Sequence, residues 1–149
     1  MKNYAVIGTP IEHSWSPSFF TKKFDQLGLS GHTYNAFEVK DISTIRTLIE
    51  GKSLAGFNVT IPHKQAIIPY LDGISHTAAA INAVNTVRIQ NGKWIGYNTD
   101  YIGYRDSLLT QLKPQHTSAL IFGTGGASLA IKYALRQLGI SYQHVSRDR

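Results

Sequence analysis

The 149-residue sequence predicts an α/β protein. An N-terminal α/β domain with a mixed, mainly parallel sheet spans residues 1–100, and an incomplete doubly wound domain begins within 101–149. Three observations carry this reading. Short apolar runs of strand length alternate with helix-period stretches along the chain. Asn91-Gly92 separates Val-Arg-Ile-Gln from Lys-Trp-Ile, a strong hairpin signal because both turn positions need positive φ. Beyond Pro114, a glycine-rich turn at 123–128 joins an apolar run to an amphipathic helix.

Taken in order, Tyr4 to Gly8 reads as a buried strand and Thr9 to Trp15 as a loop. Ser16-Pro17 reads as an N-cap with proline at the first helical position, and Gly28 stops a helix that runs to about Leu27. His32 to Val39 is a strand, and Asp41 or Ser43 caps a helix ending at Gly51. Leu54 to Ile61 is the third strand. Pro62 ends it, since proline donates nothing to a ladder and biases Ile61 toward an extended shape. A helix carrying Lys64 is expected to run through about Tyr70, and a short one from Thr77 to Ala83. After the hairpin, a helix covers about Ile102 to Leu112. The last unit is a strand from Ser118 to Phe122, a helix from Leu129 to Leu138 and a strand from Tyr142 to Val145.

Composition narrows the function classes. The chain has 42% hydrophobic residues, enough for a core and too much for disorder. It has no cysteine, which excludes disulfides and thiolate metal sites and suits a reducing compartment. No long apolar run follows Met1-Lys2, so neither a signal peptide nor a membrane span is expected, and the cytoplasm is the expected compartment. The net charge of +6 favours anionic ligands, but its basic residues are scattered, which argues against nucleic acid.

Ligands in open α/β sheets bind at the carboxyl ends of strands. Asn58, Thr60 and Lys64 stand at the end of the third strand, with Ser14 and Ser16 in the loop after the first. Asn85 precedes the hairpin and Asp100 follows it. Serine hydroxyls can donate to a carboxylate. A lysine paired with a carboxylate can hold and polarise a substrate hydroxyl, as general acid or base. Each residue also has a bland reading: Ser16 as an N-cap, Asn85 as a turn former, Asp100 as a helix cap, Lys64 as a surface lysine.

Gly123, Thr124, Gly125, Gly126 and Ala127 form the turn of a Rossmann-type βαβ unit, where backbone can approach a pyrophosphate at a helix N-terminus. A glycine-rich turn without a ligand is the alternative. After the second strand, Ser146 and Arg147 suit a 2′-phosphate, whereas Asp148 would repel it; NADP is the expected cofactor.

Ser14-Trp15-Ser16-Pro17, Asn58-Val59-Thr60-Ile61-Pro62-His63-Lys64, Ala83-Val84-Asn85-Thr86 and Gly96-Tyr97-Asn98-Thr99-Asp100 resemble the signature runs of shikimate dehydrogenases, and Gly123 to Ala127 resembles their nucleotide turn. The resemblance implies a shikimate-binding first domain and reversible, NADP-linked reduction of 3-dehydroshikimate to shikimate in aromatic amino-acid biosynthesis. It implies Lys64 and Asp100 as the catalytic pair, with Ser14, Ser16, Thr60 and Asn85 holding shikimate; Asn58 is added as a substrate-side candidate from its place at the strand end. Where the family usually reads Asn-Arg-Thr, this chain reads Ser146-Arg147-Asp148. An NAD-dependent quinate or shikimate dehydrogenase and a non-catalytic shikimate-binding fragment are the alternatives. Family members continue through the nucleotide domain and return a helical segment to the first domain, so a chain stopping at Arg149 reads as a fragment or a remnant. Its last βαβ unit, lacking neighbours, is expected to be disordered, poorly packed, or swapped into a homodimer. The expected behaviour is weak shikimate binding without steady turnover.

Overall fold

The computed structural model describes residues 1–146. The protein is α/β. Strands β1 (Asn3–Gly8), β2 (Thr33–Glu38), β3 (Leu54–Val59), β4 (Gly73–Ile74), β5 (Thr86–Gln90) and β6 (Lys93–Tyr97) form one sheet in the order β2-β1-β3-β5-β6-β4. β1 pairs in parallel with β2 and β3, and β4 with β6, whereas β5 runs antiparallel to β3 and β6. Strands β7 (Ser118–Phe122) and β8 (Ser141–Val145) form a second, parallel pair. The helices are α1 (Ser16–Gln26), α2 (Ile45–Ile49), α3 (His76–Ile81), α4 (Asp100–Leu109) and α5 (Gly126–Gln137).

Alternation along the strands divides the first sheet into two faces. Ala5, Ile7, Phe57, Val59, Val87 and Trp94 point to one side and form the main core with Ile45, Ile49, Ile67 and Ala78. Val6 and Tyr34 point to the other, where Phe20 and Phe24 of α1 cover them. The Asn91-Gly92 turn takes φ of +53° and +74°, the pair of left-handed conformations that the hairpin reading requires.

Several local expectations are corrected. Trp15, not Ser16, occupies the N-cap of α1 and makes no side-chain cap; Ser16 is the first helical residue. The stretch carrying Lys64 is a series of turns closed by a 3-10 turn at Ile68–Tyr70, not a helix. Two hydrogen bonds explain this. The Lys64 carbonyl accepts from Val84 N at 2.7 Å, so it is taken by a distant segment, and Pro69 has no N–H to offer the Gln65 carbonyl. The helix expected up to Gly51 is split into a 3-10 turn, capped by Asp41 through Ser43 N, and the single turn of α2. Helix α4 starts at Asp100 and ends at Leu109, earlier at both ends than the sequence pattern indicates.

The final unit is better packed than expected on one face. Ile121, Leu135 and Ile140 are buried in a cluster with Tyr104, Leu108 and Leu112, because α4 joins α5 in covering β7 and β8. On the opposite face Leu120 and Phe122 are 59% and 76% exposed, so the expectation of incomplete cover holds there alone. Among the described residues no helix is long and apolar enough to cross a membrane.

Candidate active site

The carboxyl ends of β1, β3 and β6 meet the amino end of antiparallel β5 along one edge of the first sheet. Thr60 N donates to the Ile7 carbonyl, Val59 N to that of Asn85, and Asn85 N to that of Tyr97, at 2.9, 2.8 and 3.0 Å. This convergence brings together side chains far apart in sequence. Lys64 Nζ donates to Asp100 Oδ2 at 2.7 Å. Asp100 Oδ1 accepts from Asn85 Nδ2 at 2.7 Å. Asn85 is itself pinned, since Nδ2 also donates to Thr99 Oγ1 at 2.8 Å and its Oδ1 accepts from Thr99 N at 2.8 Å. The lysine side chain retains 14% of its exposure and the carboxylate 31%, so the pair is partly desolvated yet reachable from solvent. An ammonium has three donors, and the bond to Asp100 uses one. The arrangement can hold a ligand oxygen and move a proton to or from it.

The network continues to the other side of the sheet edge. Asn58 Nδ2 donates to Thr86 Oγ1 at 3.0 Å and to the Asn85 carbonyl at 3.2 Å. Asn58 Oδ1 accepts from the Tyr34 hydroxyl at 2.6 Å. Burial pushes the Tyr34 phenol up to about 12, against a smaller lowering from the nearby Ser16 hydroxyl. Tyr34, Asn58, Asn85, Asp100 and Lys64 are thus linked, with Thr86 bridging the two asparagine side chains. Thr60 is half-buried and lies against Gly8 at the carboxyl end of β1, and Ser14 is half-buried in the loop between β1 and α1. Of the seven substrate-side candidates, Asn58 and Asn85 have amides engaged by protein partners on both oxygen and nitrogen.

Gly123, with φ of +104°, Thr124 and Gly125 form the turn before α5, and Gly126 and Ala127 open the helix. Gly125 sits at the N-cap, where no side chain caps the helix. A Cβ on Gly123 or Gly125 would meet nothing within 4 Å. That open, uncapped N-terminus fits a dinucleotide pyrophosphate. Gly126 faces inward instead and touches the stem of Lys64. Ser146 is exposed just past β8, and Arg147 and Asp148 lie outside the described residues.

Tyr34 and His144 escaped the sequence reading, and Thr86 and Thr99 entered it only as members of the signature runs, without a role of their own. A buried tyrosine needs a partner for its hydroxyl, which signals a polar neighbour without saying which. His144 Nε2 is hydrogen-bonded to the Gly123 carbonyl of the glycine turn.

Comparison with known proteins agrees with this geometry. Residues 6–87 match the model of the shikimate dehydrogenase substrate binding domain. The chain is 49% identical over 135 residues to a shikimate dehydrogenase (NADP(+)) of Staphylococcus aureus strain Newman, covering 89% of this chain and 50% of that protein. It spans about half the length of the curated relatives it matches. Its fold matches the crystal structure of shikimate dehydrogenase 1 from Peptoclostridium difficile, with a TM-score of 0.91, 36% identity, and cover of 100% of this chain and 58% of that one. It also matches the Thermus thermophilus shikimate 5-dehydrogenase solved in complex with NADP(H) and shikimate, with a TM-score of 0.86, 32% identity, and cover of 99% and 57%.

Proposed function

The chain belongs to the shikimate dehydrogenase family, and on that premise we propose that it carries the substrate site and catalytic pair for the reversible, NADP-linked reduction of 3-dehydroshikimate to shikimate. Residues 1–100 form the substrate domain in this reading and residues 101–149 begin the NADP-binding one. The observation that carries the proposal is the Lys64–Asp100 pair, 2.7 Å apart and held from behind by Asn85. Aromatic amino-acid biosynthesis is the pathway served, and the cysteine-free composition favours the cytoplasm.

When bound, the reduced nicotinamide supplies a hydride to the carbonyl carbon. Lys64 delivers a proton to the carbonyl oxygen as negative charge develops there, and the product hydroxyl results. Asp100 keeps the ammonium aimed, and Asn85 keeps Asp100 from rotating. In the oxidative direction Lys64 receives the hydroxyl proton, and oxidised NADP, when bound, would accept the hydride from the carbon. The Ser14 and Ser16 hydroxyls donate to the substrate carboxylate, and Thr60 and Asn85 orient its ring hydroxyls. The turn from Gly123 to Ala127 would hold the pyrophosphate, and Ser146 with Arg147 would hold the 2′-phosphate.

Calorimetric titration of shikimate into the purified chain tests the reading, with Lys64→Ala and Asp100→Asn as comparisons. Saturable heat that both substitutions remove supports it. No saturable heat at high ligand concentration, in a chain shown to be folded, overturns the substrate assignment.

A further inference from the structure

Lys64 has a neighbour that the reaction chemistry alone does not require. An ideal Cβ at Gly126 would lie 2.7 Å from Lys64 Cβ, 3.3 Å from Lys64 Cδ and 3.4 Å from Ala83 Cβ. The first turn of α5 therefore rests directly on the aliphatic stem of the lysine. We propose that Gly126 is a positioning residue for Lys64: its missing side chain lets α5 seat against the lysine stem and so fixes where Nζ meets Asp100. The glycine turn and the Lys64–Asp100 pair then move as one mechanical unit.

Neither side of this contact can yield cheaply. The closest atom is the lysine's Cβ, one bond from a backbone whose carbonyl is tied to Val84 N at 2.7 Å, rather than the free end of a flexible chain. On the other side, α5 is seated by Ala130 against Ile81 and Ala83, and by Tyr133 edge-on to Tyr101 at 5.2 Å. A methyl at 126 must swing the lysine stem away from Asp100 or lift α5 from that seat. Gly103 provides the contrast: it lies in α4, and a Cβ there meets nothing within 4 Å.

The proposal rests on the shikimate reading only for one of its readouts. In the 149-residue chain, Gly126→Ala should lower the urea midpoint, whereas Gly103→Ala should leave it unchanged or raise it, because alanine is the better helix former. Combining Gly126→Ala with Lys64→Gly, which deletes the stem, should abolish the loss; a double-mutant cycle isolates that coupling. If Gly126→Ala alone does not fold, the double variant should. Acetylation of Lys64, followed by peptide mass mapping, should be several-fold faster in Gly126→Ala than in the parent chain. Shikimate affinity should fall about tenfold or more, as for loss of a charged hydrogen bond. Additive effects at 64 and 126, or a double variant that fails to fold, would overturn the proposal. So would unchanged Lys64 reactivity in folded Gly126→Ala. Failure of the parent chain to bind shikimate would sink the substrate assignment and leave the cycle and the acetylation to decide the role of Gly126.

Discussion

Asn85 Nδ2 stands 2.7 Å from Asp100 Oδ1, on the side of the carboxylate away from Lys64. Asn85 is buried, and its amide is satisfied at both ends by Asp100 and Thr99. The carboxylate that orients the lysine is thereby oriented itself, and its rotation is blocked before any ligand arrives.

Asn85→Ala should therefore damage both stability and binding. It leaves the exposed Thr99 N–H and one oxygen of the partly exposed carboxylate without their partner, a loss of about 0.5–1.5 kcal/mol, the net worth of a typical hydrogen bond. Urea denaturation should show a destabilisation of that order, and calorimetry a weaker shikimate heat than that of the parent chain. Unchanged binding would mean that Asp100 holds its orientation through Lys64 alone.

The Tyr34 hydroxyl makes stability depend on pH at the alkaline end. Burial raises its pKa from 10.0 to about 12, so the folded state keeps the proton that the unfolded chain gives up near pH 10. This contribution is fully present below pH 10 and is lost as pH rises toward about 12. Tyr34→Phe should be less stable at neutral pH, because Asn58 Oδ1 loses its donor, and should show a shallower decline across that alkaline window. Thermal unfolding from about pH 8 upward, parent beside variant, checks it; parallel declines would show that other groups set the alkaline limit.

Cofactor choice should follow Arg147. An arginine paired with the 2′-phosphate contributes about 1.5–3 kcal/mol, so Arg147→Ala should weaken NADP by roughly 10- to 100-fold while changing NAD little. Asp148→Thr should tighten NADP by removing a repelling charge. Titrations of the two dinucleotides give the ratio directly, and equal losses for both would take Arg147 away from the phosphate.

What the sequence made legible was local. Asn91-Gly92 announced its hairpin through turn chemistry, and Ser118 to Phe122 its strand through apolar content and a following glycine turn. The Lys64–Asp100 pair was legible both as a motif resemblance and from two strand ends in one domain, which place the side chains within hydrogen-bond reach or one water apart; the fold supplies the direct 2.7 Å contact. The failures share a cause: a partner distant in sequence overrode the local pattern. Lys64 leaves the helical ladder because Val84 takes its carbonyl. The two-residue strand β4 had no signal of its own; it is set beside β6 by Asp72, whose carboxylate accepts from Trp94 N and Arg46. Tyr34 finds Asn58 across 24 residues, and Gly126 finds Lys64 across two sheets.

Gly8 offers a separate test of the substrate edge. It ends β1, and an ideal Cβ there would fall 2.4 Å from Thr60 Cγ2 and 2.8 Å from the Ile61 carbonyl oxygen. The threonine methyl could turn away, but the carbonyl is backbone, bonded to Thr9 N at 3.0 Å, and cannot yield without opening the join between β1 and β3. Gly8→Ala should thus cost about 1–3 kcal/mol, the usual range for overpacking. It should also displace Thr60, so shikimate binding should weaken while dinucleotide binding at the α5 turn stays as it was. Thr60→Ala separates the two effects: in the proposed site it loses affinity for shikimate without the full destabilisation of Gly8→Ala. If Gly8→Ala lowers stability and leaves shikimate affinity intact, Thr60 lies outside the substrate contacts and β1 serves the site only as scaffold.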